Sequence, residues 1–316
     1  MKKIISLFLI ICSVVLLASC NVGQSENESS VYKSYVTNVA NDGLISIEKD
    51  WWSEISKPDD STLPQTRKVV FGDVEYTVEY DKTYLAEYCS DELVRYINED
   101  IIFSFDKKSG NLQNYSLWEV TCKKEYYMKS DMENPREYAD DLAEKVAKQY
   151  IDITEYFLNV SERKRTLEGL EYIHYYYTYT KMSGDYATND SVNIEITSKG
   201  DLISVTLSDI GRYDDIDVSE IDTKEVEKSV SAKIKELYGE KYSYTYDVFD
   251  QPGYDKSVLC STPEGNLAIS SFYEVVLTKK DGEEFSTLVQ ITTCLDKDVK
   301  SSSNKSIEFQ DVSSSN

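Results

Sequence analysis

Three stretches of this 316-residue chain repeat one pattern: alternating apolar residues run into a turn bearing lysine and glycine, then resume. They are 101–120 around Lys108-Ser109-Gly110, 192–207 around Ser198-Lys199-Gly200, and 273–291 around Lys280-Asp281-Gly282. Ahead of the glycine stand Ile101, Phe103 and Phe105 in the first, Val192, Ile194 and Ile196 in the second, and Tyr273, Val275 and Leu277 in the third. A period of two belongs to a strand with one buried face, and glycine supplies the positive φ of a tight turn. Each stretch is therefore predicted to be a β-hairpin.

Two helical patterns separate the hairpins. Asn134 can cap the first and Pro135 suits its first turn, with Tyr138, Leu142, Val146 and Tyr150 forming an apolar stripe at four-residue spacing. The second begins at Asp222 with Glu225 placed as in a capping box, carries Val226, Val230, Ile234 and Leu237, and stops near Gly239. The predicted fold class is α+β: antiparallel sheets with packed helices, in repeated helix-plus-hairpin units. A helix followed by strands ending in Val192-Asn193-Ile194-Glu195-Ile196-Thr197-Ser198-Lys199-Gly200-Asp201-Leu202-Ile203-Ser204-Val205 resembles the PepSY-type repeats of secreted and lipid-anchored bacterial proteins, over 134–294. That resemblance implies a binding or inhibitory module associated with peptidases or the cell envelope, and it transfers no catalytic residue to this chain.

The N-terminus indicates a location. Lys2 and Lys3 precede an apolar run, Ile4 to Leu17, that is too short for an ordinary transmembrane helix and reads as a cleaved export signal. Leu17-Ala18-Ser19-Cys20 resembles the lipobox of bacterial lipoproteins. The resemblance implies that Cys20 carries diacylglycerol and becomes the mature N-terminus, and two acyl chains anchor stably where one is marginal. The expected location is the extracytoplasmic face of the cell membrane. The expected organisation is a signal peptide over 1–19, a tether and linker over 20–62, a β-rich unit over 63–130, PepSY-like units over 131–215 and 216–298, and a disordered, serine-rich tail over 299–316.

Charge narrows the partners. The chain has 34 basic and 57 acidic residues; without Lys2 and Lys3 the balance is 32 against 57, a formal charge of −25. Nucleic acid and anionic surfaces are disfavoured, and attraction is reserved for cationic ligands or basic protein patches. No metalloprotease His-Glu-x-x-His, Gly-x-Ser-x-Gly elbow, P-loop or dinucleotide fingerprint is present, and no cofactor or catalytic residue is assigned. Ser161-Glu162-Arg163-Lys164 offers a Ser/Lys pair, but a solvated charge run explains it more simply.

The remaining candidates are few. Cys122 and Cys294 each lie 12 residues after a hairpin glycine, and Cys89 and Cys260 lie 21 and 22 before one. Of three connectivities this match favours Cys89 with Cys122 and Cys260 with Cys294. No metal site is assigned, because no two of these cysteines are close in sequence and His174 is the only histidine. Asp214, Asp215, Asp217, Glu220 and Asp222 lack EF-hand spacing and suit the N-terminus of the second helix. Alternation puts Tyr175, Tyr177 and Tyr179 on one strand face and His174, Tyr176 and Thr178 on the other; the tyrosine row is the candidate ligand-facing surface, against ordinary strand packing. The functional expectation is a non-catalytic, lipid-anchored protein engaging an envelope protein or peptide. The alternative is a receptor or hydrolase for envelope glycan or peptide.

Overall fold

The computed structural model describes residues 30–39, 62–71, 74–85, 92–99, 101–117, 133–167, 170–250, 257–262, 265–298 and 309–310; Cys20, Cys89 and Cys122 lie outside them. The chain divides into two compact units, 1–31 and 32–316, and every element below belongs to the second. Its strands are β1 (Lys33–Val39), β2 (Thr66–Phe71), β3 (Val74–Leu85), β4 (Glu92–Ile97), β5 (Ile101–Asp106), β6 (Leu112–Leu117), β7 (Tyr156–Leu167) and β8 (Leu170–Ser183). They continue with β9 (Tyr186–Thr197), β10 (Leu202–Ser208), β11 (Ser243–Val248), β12 (Val258–Ser261), β13 (Asn266–Thr278), β14 (Glu284–Asp298) and β15 (Phe309–Gln310). The α-helices are α1 (Pro135–Ala147) and α2 (Thr223–Tyr238).

All three predicted hairpins form, as β5/β6, β9/β10 and β13/β14, with Gly110, Gly200 and Gly282 at φ 73°, 89° and 90°. The α+β class does not hold. The fifteen strands make one mixed sheet in the order β1-β14-β13-β12-β9-β10-β6-β5-β4-β3-β2-β15, with β11 also on β13, and β8 and then β7 on the other edge of β9. The hairpins are not the sheets of separate units; β6 pairs with β10, and four-residue β12 lies antiparallel to β13 and parallel to β9. The stretch between the first helix and the second hairpin contains the 12- and 14-residue strands β7 and β8. Within the segment expected to be a disordered tail, β15 pairs with β2.

The sheet is not flat. Phe71 on β2 stacks on Tyr115 on β6 with ring centroids 4.2 Å apart. Four strand steps separate them in the sheet, a span of about 19 Å if it were planar. The β2–β6 portion therefore rolls strongly, enclosing Tyr96, Phe103 and Phe105 and satisfying the Tyr96 hydroxyl on the carbonyl of Pro64 at 2.9 Å.

The helices lie on the same face of this sheet. On α1 the buried stripe is Ala139, Ala143, Val146 and Ala147, while Tyr138 is 46% exposed. Small residues let the helix approach β8 and β9 closely, and Tyr138 lies over Gly200, where a Cβ would come within 2.7 Å of its ring. Arg136 fastens α1 to the sheet: its Nε donates to Asp140 at 2.7 Å and its Nη1 to Glu162 of β7 at 2.9 Å, and the Tyr177 hydroxyl donates to Asp140 at 2.8 Å. Asp222 caps α2 as expected, accepting from the amides of Lys224 and Glu225, and Val230, Ile234 and Tyr238 bury against Val36, Val275, Leu277 and Ile291.

Candidate functional site

The tyrosines selected from the sequence are core residues. Tyr175, Tyr177 and Tyr179 are 3%, 1% and 3% exposed on the helix side of β8, with Arg136 over the rings of the first two. Their position corrects the ligand-facing assignment: α1 covers the row. The alternate residues of β8 face the other way, where no described helix lies.

That opposite face is a polar surface carried across eight strands by the pairing register. Asn159 of β7 stands beside Thr178 of β8, then Asn193 of β9, Thr206 of β10, Asn114 of β6, Ser104 of β5, Arg95 of β4 and Lys82 of β3. Thr178 donates to the Asn193 side chain at 2.8 Å, and Asn114 to Thr206 at 2.9 Å. The neighbouring row runs Ser161, Tyr176, Glu195, Ser204 and Ser116. Thr178, Asn193, Thr206, Tyr176 and Glu195 are all half-buried, so they present polar groups without being core.

Three side chains, His174, Glu195 and Arg163, give this face its electrostatic character near β7. His174 Nδ1 lies 2.5 Å from Glu195 Oε1, and Arg163 lies over the Tyr176 ring at 4.9 Å from its centroid. Burial pushes the Glu195 carboxyl up, but contacts with His174, Tyr176 and Arg163 outweigh it and hold the group below its ordinary value. The Ser161/Lys164 pair does not assemble, since strand alternation sends these residues to opposite faces of β7.

A second cluster, not anticipated from sequence, lies where β10 and β12 share one edge of β9. Strand β10 pairs with Ser191–Ile196 and β12 with Ala187 and Thr188, so the ladder is interrupted at Asn189 and Asp190. Side chains replace the missing pairing. Asp190 is 0% exposed and accepts from the Tyr156 hydroxyl at 2.6 Å and the Gly211 amide at 2.7 Å. Asp209, at φ 50°, pairs with Arg212 Nε at 3.2 Å and accepts from the Tyr213 hydroxyl at 2.8 Å. Arg212 Nη1 donates to Ser261 of β12 at 3.0 Å, tying the β10–α2 connection to the neighbouring strand. Burial drives the Asp190 carboxyl up to about 6, against the opposing effects of Tyr156, Gly211 and Lys181. The sequence did hold a signal for this seam: Asp190 continues the alternation of Val192, Ile194 and Ile196, which places a carboxylate on the core face.

The described cysteine pair, Cys260 and Cys294, does not join as expected. Cys260 pairs in register with Ala268 of β13, and Ala268 with Cys294 of β14, so β13 stands between the thiols and no disulfide links them. Two strand steps span about 9–10 Å, beyond the ~4.4–6.8 Å between Cα atoms that a disulfide bridges. Burial, with Asp209 and Cys294 adding, pushes the Cys260 thiol up to about 12. Native protein at pH 8 is expected to leave Cys260 unalkylated by iodoacetamide, whereas urea-unfolded protein is modified there, as peptide-resolved mass spectrometry can check; rapid native labelling would contradict this burial.

The acidic run is locally engaged. Asp214 pairs with Lys181 at 2.6 Å and Glu220 with Lys297 at 2.6 Å, Asp217 accepts from the Ser219 amide at 2.9 Å, and Asp222 caps α2. Among the described residues no three His, Cys, Asp or Glu side chains form a metal cluster, and no helix is long and apolar enough to cross a membrane. Comparison with models of known families, with curated proteins and with solved structures finds no match.

Proposed function

We propose that this chain is a lipid-anchored extracytoplasmic binding protein that engages an envelope protein or peptide through the helix-free face of its sheet. The observation that carries this reading is the polar row from Asn159 to Lys82 on the face opposite α1 and α2, half-buried or exposed at every position except Ser104, which is buried and accepts from the Tyr84 hydroxyl. The lipobox-like Leu17-Ala18-Ser19-Cys20 supports placement of that face outside the membrane, with the segment after Cys20 as tether. Hydroxyl and amide side chains on a preformed sheet suit recognition of a polypeptide surface, because each strand adds a donor or acceptor at fixed spacing.

The test is chemical crosslinking in intact cells that make the protein, with full-length chain tagged at its C-terminus. Wild type is expected to recover one specific envelope protein, and Thr178→Lys with Asn193→Lys to reduce that recovery at least tenfold in a protein that circular dichroism shows still folded. Cys20→Ser is expected to move the protein out of the membrane fraction. Equal recovery by wild type and the face variant, or no partner with either, would contradict the reading.

A further inference from the structure

We infer that β7 is a docking strand to which an extended, acidic segment of the partner, interspersed with apolar residues, adds by backbone pairing. This deepens the binding reading above and rests on it. Among the described residues β7 pairs with β8 alone, although it runs for 12 residues. A strand paired on one side presents alternate N–H and C=O groups along the other, a template for a further strand.

The side chains along this edge define what fits. At its N-terminal end Phe157 is 65% and Leu158 42% exposed, one on each face of the strand, so an added strand would meet an apolar contact on either side. At its other end Arg163 and Lys164 are exposed. The acid between these halves, Glu162, is engaged by Arg136 at 2.9 Å, which leaves a cationic stretch in a chain of formal charge −23. Charge on an edge strand commonly guards against self-pairing. Here the guard covers only half the strand, and the unguarded half is apolar. A second copy of β7 is a poor occupant: paired antiparallel about Val160 and Ser161 it sets Arg163 against Leu158, and paired in parallel it stacks like charges. An acidic segment gains on both halves.

The probes are two fluorescein-labelled peptides of ten residues, one alternating valine with glutamate and one alternating valine with lysine, titrated against the full-length protein by fluorescence anisotropy. The glutamate peptide is expected to bind at least tenfold more tightly than the lysine peptide, and Arg163→Glu with Lys164→Glu to abolish that preference in a protein that circular dichroism shows still folded. Hydrogen exchange is expected to slow within 156–164 when the glutamate peptide is bound. Equal binding of the two peptides, binding by neither, unchanged exchange in β7, or a dimer in sedimentation that Phe157→Asp dissociates would each overturn the assignment, the last by giving the edge to a second copy. If the intact-cell partner is recovered equally by the Arg163→Glu, Lys164→Glu protein, the docking strand fails while the binding reading stands; if wild type recovers no partner, the reading itself fails.

Discussion

Arg212→Ala is expected to lower the unfolding free energy by about 3–5 kcal/mol, the usual cost of removing one partner from a buried ion pair. Arg212 and Asp209 are 3% and 6% exposed, and without the guanidinium the Asp209 carboxylate loses its paired cation while keeping the bond from the Tyr213 hydroxyl. Ser261 loses its donor as well, and with it the side-chain tie from the β10–α2 connection to β12. Asp209→Asn added to Arg212→Met is expected to recover part of the loss. It removes both charges together, and asparagine tolerates the positive φ at that position where most residues do not. Urea unfolding measures the effect as a fall in midpoint at constant slope. A change below about 1 kcal/mol for Arg212→Ala would show that the seam does not depend on this pair.

Asp190 gives the second large effect, and it carries a pH signature. Asp190→Ala takes the acceptor from the half-buried Gly211 and Tyr156, at up to about 1–3 kcal/mol for each donor left unsatisfied. Asp190→Asn is much milder, because its oxygen can accept from Gly211 while its amide donates to Tyr156. Burial raises the folded carboxyl from 3.8 to about 6, so the native state holds this proton more tightly than the unfolded chain does. The resulting stabilisation is fully present below pH 3.8 and is lost as pH rises through about 6, a total near ~3 kcal/mol. Wild type should therefore gain stability relative to Asp190→Asn as pH falls from 7.5 to 4.5. A difference between the two proteins that stays flat over that range would mean that Asp190 is not the titrating group. Lys181 and Asp214, the charged groups nearest in effect, act on Asp190 in opposite directions and are present in both proteins, so the comparison isolates the carboxyl.

What the sequence revealed and what it hid follow from the range of the interactions. The three hairpins were legible because period-two alternation and a turn glycine are local, and Asp222 was legible as a cap because its partners are two and three residues away. The α1 face was legible in part: Val146 and Tyr150 are buried and Leu142 packs against the core, while Tyr138 is exposed and Ala139 and Ala143 went unread because close packing on a sheet selects small residues. Cys260 and Cys294 flank one position of β13, and the inference of a bond between them failed because that position is itself part of a strand. Fusion of the units was invisible, since the parallel contact of β12 with β9 joins residues about seventy apart and leaves no periodic trace. The seam depends on that contact, and the polar row on the pairing of β6 with β10. Each residue in them is ordinary in its own segment, and only the register brings them together.

The most direct test of the docking-strand account is site-specific photocrosslinking in intact cells, with a photoreactive side chain in place of Phe157 on β7 and, as control, in place of exposed Val74 on β3. The account predicts a single partner adduct from position 157, absent from position 74 and lost when Arg163→Glu and Lys164→Glu are added. Adducts of equal yield from both positions, or none from position 157 while the protein remains folded and in the membrane fraction, would contradict it.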